Sequence, residues 1–318
     1  MGNADSTPMR SAGADPRAGA VLPLVIAANP RSGAGDKRAE VEAASAALAA
    51  ASHPHEIVEL DGSRGATCLR AARRAAELGG ALVAAGGDGT VNAAVNAARE
   101  ANVPLGLLPL GTFNHFARAH GIPLDPAEAA GVLRSGVTQP VTMGELNGRL
   151  FFNNAGFGLY TQAVRRRERA KRHFGRYRAI AVATAVGTLL AGREPFTVHM
   201  VADDAAATAR TSTVLVFCSP LQLERLGLDA DCARAGVLAV ALLRPTRLRD
   251  RVRLLLRSAL RQLDADRRVQ VFSAAEFEVR SARRDIVVVM DGETARLRQP
   301  LKFRAVPDAV RLIVPRAE

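Results

Sequence analysis

The sequence predicts a fold of class α/β + β: an N-terminal Rossmann-like parallel α/β domain followed by an antiparallel β-sandwich. Three observations carry that prediction. Up to about residue 135, short apolar runs alternate with alanine-rich stretches of helical period, the pattern of a parallel sheet covered on both faces. Three of those runs end in loops rich in Gly, Ser, Thr and Asn, which in an open parallel sheet lie on one edge, where ligands bind. Past Val137 the alternation stops, and short β-prone runs separated by turn signals take over. The 318 residues suffice for two cores, and a hydrophobic content of 48% is that of a globular protein.

Residues 1–20, rich in Gly, Ala, Ser, Asp and Pro, are expected to be a disordered tail, since they lack the apolar centre of a signal peptide. The α/β domain is assigned to residues 21–138. Its first strand, 21–28, is apolar apart from Pro23 and leads into Asn29-Pro30-Arg31-Ser32-Gly33-Ala34-Gly35. A helix over 36–51, a strand over 55–60 and a helix over 65–78 follow. The apolar run 81–85 then ends in Gly86-Gly87-Asp88-Gly89-Thr90, ahead of a helix reaching about Arg99. Strand, glycine-rich turn and helix in that order expose backbone N–H groups at a helix N-terminus, a geometry suited to phosphate. Asp88 is out of place there, because a carboxylate repels phosphate unless Mg²⁺ or a hydroxyl intervenes. The pentapeptide equally describes a tight turn with Asp88 capping the helix. The next strand, 103–108, ends in Pro109-Leu110-Gly111-Thr112-Phe113-Asn114. Asp125-Pro126-Ala127-Glu128 is a helix start with Asp at N-cap, Pro at N1 and Glu at N3.

The sandwich is assigned to residues 139–307, with the closing strand 308–316 returning to the first domain. Runs 141–146 and 150–155 flank Asn147-Gly148, a strong hairpin signal. Runs 196–202 and 211–217 read as a second pair around Asp203-Asp204. Runs 237–243, 269–272, 276–280 and 286–290 complete an antiparallel set, and 301–306 and 310–314 are the last strands. Two helical stretches interrupt them, one around the arginines of 165–178 and one over 247–263.

The formal net charge of +12, carried mostly by arginine, calls for an anionic partner or surface, unless arginine simply fills solvated faces. Three widely spaced cysteines, Cys68, Cys218 and Cys232, form neither a disulfide framework nor a metal-ligand pattern, which favours a reducing cytosol. No run is apolar for long enough to span a bilayer, so the protein is expected in the cytoplasm, at most peripheral to the inner face of the membrane. Aromatic residues suited to base stacking are few, and no nucleic-acid partner is expected.

Taken together, Asn29-Pro30-Arg31-Ser32-Gly33, Gly86–Thr90 with Asn92, Pro109–Thr112 with Asn114–Arg118, and Asp291-Gly292-Glu293 resemble the diacylglycerol kinase catalytic domain family, as does the closing 311–315. The resemblance covers about residues 22–316 and implies ATP- and Mg²⁺-dependent phosphoryl transfer to a lipid hydroxyl. It implies that Asn29, Ser32 and Gly33 line the nucleotide site, that Gly86, Gly87, Asp88, Gly89 and Thr90 cradle the phosphates, and that Thr112 touches the same nucleotide. It further implies that Asp291 is the general base and that Glu293 helps place the Mg²⁺. Read without it, Asp291-Gly292 is also an ordinary turn between two strands.

Three positions depart from the family's pattern: His115 where many members have Asp, Ala34 where many have Lys, and 233–236, Ala-Arg-Ala-Gly, where bacterial members often have an Asp-Asp-Gly tied to a structural Mg²⁺. The last puts that second metal in doubt. A soluble-metabolite kinase of the NAD-kinase type shares the GGDGT chemistry, and a non-catalytic binder of anionic lipid or nucleic acid would share the charge. The arginines of 165–178 are a candidate contact with anionic headgroups.

Overall fold

The computed structural model describes residues 22–32, 35–174, 187, 195–202, 205–228, 231, 236–244, 247–259 and 268–316. The first half alternates as expected. Strands β1 (Leu24–Ala28), β2 (His55–Glu59), β3 (Ala81–Gly86) and β4 (Leu105–Pro109) lie parallel in the order β2-β1-β3-β4. Helices α1 (Arg38–Ala50) and α5 (Pro126–Ser135) cover one face; α2 (Arg64–Glu77) and α3 (Asp88–Ala101) cover the other. Each central strand is buried on both sides. In β1, Leu24, Ile26 and Ala28 join the first core while Val25 and Ala27 join the second. Alanine dominates both cores, so helices and sheet approach closely. Asp125 caps α5, accepting from the N–H groups of Ala127 and Glu128 at 2.9 and 3.0 Å, with Pro126 following.

The second half is antiparallel. Its strands are β5 (Val137–Leu146), β6 (Arg149–Phe151), β7 (Asn154–Gly158), β8 (Phe196–Ala202), β9 (Ala205–Thr211), β10 (Thr213–Phe217) and β11 (Leu238–Leu243). Then come β12 (Val269–Ala274), β13 (Glu276–Ser281), β14 (Asp285–Met290), β15 (Glu293–Arg298) and β16 (Leu301–Val314). A six-stranded sheet runs β12-β11-β10-β7-β14-β15. It packs on the antiparallel part of the larger sheet through Phe157, Val214, Val240 and Val288 on one side and Val198, Phe277, Leu301 and Phe303 on the other. The rings of Phe277 and Phe303 stack at 4.8 Å.

The long strand β16 joins the two halves. It pairs with β13 and β5 antiparallel and with β4 in parallel at Leu312↔Leu105, with a register shift between Val306 and Val310. Parallel and antiparallel strands therefore share one sheet. The same junction is held by Glu145, a buried carboxylate that accepts from Arg304 (2.7 and 3.1 Å) and Arg99 (2.6 Å). Burial alone would raise its pKa, but the two guanidiniums hold the carboxyl below the ordinary range. Glu145→Ala is expected to lower unfolding free energy by about 2 kcal/mol at pH 7, since both arginines can rehydrate. The wild-type advantage should be full above the ordinary carboxylate range and disappear as pH falls below it, which urea titrations at two pH values would show.

Three pairings differ from the sequence reading. β8 pairs with β9, which ends at Thr211, and not with 213–217, which lies in the other sheet. The run 150–155 is not one strand: it breaks at Phe152-Asn153, and its two parts enter different sheets. The runs 301–306 and 310–314 are one bulged strand. The arginine stretches form α6 (Leu159–Phe174) and, after α7 (Pro220–Leu226), α8 (Leu248–Ala259). Cys232, Ala34, Asp203-Asp204, residues 233–235 and residues 175–178 lie outside the described residues.

Candidate active site

The three loops leaving β1, β3 and β4 form one unit. Asn29 opens the first; its N–H donates to Ala85 O (2.8 Å) and its Nδ2 to Thr90 Oγ1 (3.1 Å). Buried Ser32 accepts from Gly87 N–H at 2.6 Å. From the third loop, Leu110 N–H donates to Gly86 O at 2.9 Å. Buried Asn114, in the left-handed region at φ 49°, accepts from Gly111 N–H (2.9 Å) and donates to Gly111 O (3.0 Å). Gly87 and Gly111 meet back to back: a Cβ on Gly111 would lie 2.5 Å from Gly87 Cα. Thr112 stands exposed on this third loop; Gly33 lies outside the described residues.

Asp88 does not cap α3. Gly87 occupies the N-cap, without a side-chain hydrogen bond, and Asp88 is the first helical residue. Its carboxyl is directed at the short helix α4 (His115–Ala119) that follows the third loop. Burial pushes the carboxyl up, while the His115 imidazole and the N–H groups of Phe116, His115 and Asn114 work against that. The Asp88 Oδ1 is buried without a hydrogen-bond partner among the described residues. The His115 ring stacks on Phe113, centroids 5.5 Å apart.

Asp291 comes from the opposite wall. Asp291 and Gly292, at φ 48° and 88°, form the two-residue turn between β14 and β15, the left-handed geometry that Asp-Gly favours. The turn reading therefore holds for this pair, and the same turn carries the Asp291 carboxylate into a ring of donors. Oδ2 accepts from Asn92 Nδ2 (2.8 Å) and Phe152 N–H (3.0 Å); Oδ1 accepts from the N–H groups of Asn153 (2.9 Å) and Asn154 (3.3 Å). The break between β6 and β7 frees these three amides for it. Burial pushes the carboxyl up to about 6, and the N–H donors of Phe152, Asn153, Asn92 and Asn154 limit the rise. Cys218 packs nearby, its thiol donating to Phe151 O at 3.3 Å; burial and the Asp291 charge both push that thiol up, so it is no nucleophile.

Glu293, two residues on, is exposed and pairs with Arg64 at 2.8 Å. Both side chains lie against the glycine loop: a Cβ on Gly89 would come within 2.6 Å of Arg64 Nη1 and 2.8 Å of Glu293 Oε1. The cleft between the walls has a volume of about 520 Å³ and is bordered by Arg64, Gly89, Asn92, Arg149, Met290 and Glu293, among others.

Asn29, Ser32, Gly86, Gly87, Asp88, Gly89 and Thr90 are thus brought together, and Asp291 and Glu293 face the helix that leaves their loop. Sequence reasoning missed Asn92 as a ligand of Asp291, together with Arg64 and the amides of 152–154. The signal for Asn92 was present: Asn92 and Asn96 are polar residues four apart in an Ala/Val helix. Both are used, Asn96 accepting from Leu150 N–H at 3.0 Å. Backbone amides and an arginine at a helix start carry no such mark.

Residues 23–146 match the diacylglycerol kinase catalytic domain. Two relatives are similar over shorter stretches. A diacylglycerol kinase of Bacillus subtilis (strain 168) is 46% identical over 84 residues, 26% of this chain and 28% of that protein. A diacylglycerol kinase of Staphylococcus aureus (strain JH9) is 44% identical over 100 residues, 31% of this chain and 32% of that protein. The chain therefore aligns with less than a third of the length of these curated relatives. A crystal structure of a diacylglycerol kinase from Bacillus anthracis str. Sterne superposes with a TM-score of 0.72 at 21% identity, covering 92% of this chain and 97% of that one. Over residues 23–146 the chain is thus similar to the diacylglycerol kinase catalytic domain, and over nearly its whole length it shares the fold of the solved Bacillus anthracis protein.

Proposed function

We propose that the protein is an ATP-dependent lipid kinase that transfers the γ-phosphate to a hydroxyl of a membrane-derived lipid, diacylglycerol or a close relative. One observation carries the reading: the Asp291 carboxylate is hydrogen-bonded by Asn92, one turn into the helix that leaves the glycine loop. A candidate base, far away in sequence, thus touches the helix that leaves the candidate phosphate cradle.

In phosphoryl transfer the protein chiefly positions the partners and neutralises charge. The N–H groups of the loop 86–90 receive the ATP phosphates, with Asn29, Ser32 and Thr112 at the rim. Asp291 takes the proton of the acceptor hydroxyl as that oxygen attacks. Three of its hydrogen-bond donors are fixed backbone amides; the fourth, Asn92, is on a rotatable side chain and is the one the hydroxyl replaces. Mg²⁺ fits this site in the manner of ions held by one or two carboxylates and substrate phosphates. The residues that would hold it are Glu293, beside Gly89, and Asp88, whose enclosed Oδ1 lacks a partner among the described residues. When bound, the ion supplies neutralisation of the phosphate charge.

The test is incubation with labelled ATP, Mg²⁺ and a total lipid extract, with NAD as a second acceptor. A labelled phospholipid is expected; label in NAD and in no lipid would overturn the assignment.

No helix among the described residues is long and apolar enough to cross a membrane. Access to the acceptor is assigned to peripheral contact with the anionic inner face, through α6, whose Arg165 and Arg166 are exposed. Each such charge near the surface contributes about 1 kcal/mol. Sedimentation with anionic vesicles should exceed that with neutral vesicles and fall with salt; equal binding to both would remove this part.

A further inference from the structure

We propose that Arg64 is a positioning residue for the transferred phosphate: it pairs with Glu293 and turns to the γ-phosphate when ATP enters. The inference rests on the kinase reading above and deepens it.

Four observations lead there. Arg64 Nη2 donates to Glu293 Oε1 at 2.8 Å, bridging residues 229 apart in sequence from opposite walls of the cleft. Its Nη1 occupies the space a side chain at Gly89 would fill, so the guanidinium rests on the backbone of the glycine loop. Both partners of the pair are about half exposed, at 43% and 55%, and such a pair is weak and readily exchanged. Finally, the described residues bordering the cleft include two cations, Arg64 and Arg149, against two carboxylates, Glu100 and Glu293. A triphosphate entering beside these carboxylates needs a nearby positive charge, and Arg64 is the one that touches the loop.

The planar fork of arginine suits this exchange, because it pairs with a carboxylate or with two phosphate oxygens in the same geometry. As Arg64 swings to the phosphate it releases Glu293, which becomes available as a donor at the moment the phosphates arrive. Arg64 thereby couples nucleotide entry to completion of the site. In other phosphoryl-transfer enzymes an arginine placed on the transferred group has a large effect on rate.

The test compares ATP and ADP binding, by displacement of a fluorescent nucleotide from the full chain in the presence of Mg²⁺. Arg64→Ala should weaken ATP binding about tenfold, one charge-assisted contact, and leave ADP within about twofold. Arg64→Lys should restore part of the ATP affinity. The same loss should persist when Arg64→Ala is made in Glu293→Gln protein, because the contact is with phosphate and not only with Glu293. Equal losses for ATP and ADP, or an effect that vanishes in the Glu293→Gln background, would overturn the assignment. Wild-type protein that binds neither nucleotide would overturn the kinase reading along with it, whereas intact ATP binding in Arg64→Ala would overturn this inference alone.

Discussion

Asp291→Asn is expected to lower phosphoryl transfer by about 10²–10⁴-fold, the range for loss of a general base. Asparagine is the informative replacement because position 291 sits at φ 48°, which Asn tolerates and Ala does not. The change is nonetheless not silent structurally. All four groups around the carboxylate are N–H donors, and an amide NH₂ must face two of them. Asn92 can rotate to offer its own oxygen; the amide of Phe152 cannot. A modest loss of stability is expected, and folding must be checked by circular dichroism before the rate is interpreted. Turnover within tenfold of wild type in a folded variant would remove Asp291 as base.

The same carboxyl sets a pH dependence. With its pKa pushed up to about 6, the base form is lost as pH falls through that value. The acid limb of kcat/KM should therefore have a midpoint near 6, not in the ordinary aspartate range. The stability sign is the reverse. Burial favours the neutral form, so this group contributes stability below its unfolded pKa that is lost as pH rises through about 6. Asp291→Asn should abolish both trends, which separates them from the titration of Glu145.

Gly111→Ala is expected to break the packing of the third loop on the glycine loop. The added carbon would lie 2.5 Å from Gly87 Cα and 2.6 Å from Asn114 Oδ1, and the first of these is backbone that has no rotamer to change. The third loop must then separate from the glycine loop, at about 2–3 kcal/mol and with loss of ATP binding. Gly131→Ala is the matched control. It lies inside α5 with nothing within 4 Å of the new carbon, and a helix-interior glycine gains about 0.5–1 kcal/mol on that change. Urea unfolding of the pair should show opposite signs; a Gly111→Ala protein as stable as wild type would mean the loops are not packed as described.

Three of the readable strands share one property, complete burial. The strands Leu24–Ala28, Ala81–Gly86 and Leu105–Pro109 are apolar throughout because both faces are covered, and that pattern needs no knowledge of partners. The strands missed outright, β9 and β15, are edges of their sheets. Ala205–Thr211 is rich in alanine, a weak strand former, and Glu293–Arg298 alternates mostly exposed residues. An edge strand is held by its neighbour's hydrogen bonds more than by its own side chains, so its sequence says little.

The site divides in the same way. Gly86–Thr90 was legible as a candidate phosphate loop because a glycine-rich turn after a buried strand is a local pattern with a local physical reason, and Asn29, Ser32 and Asp291 were marked as candidates by the family resemblance. The contacts that hold them were not legible. That Asp291 is held by the amides of Phe152, Asn153 and Asn154 depends on a strand breaking between two sheets, and backbone amides are the same in every residue. That Arg64 reaches Glu293 depends on two walls separated by most of the chain. Sequence alone determined the buried strands and marked the loops that are candidates for a phosphate, since these follow from burial and backbone freedom over a few residues. Tertiary structure decided which carboxylate is buried, which is paired and how each titrates, because desolvation and hydrogen bonding depend on groups that only folding brings near.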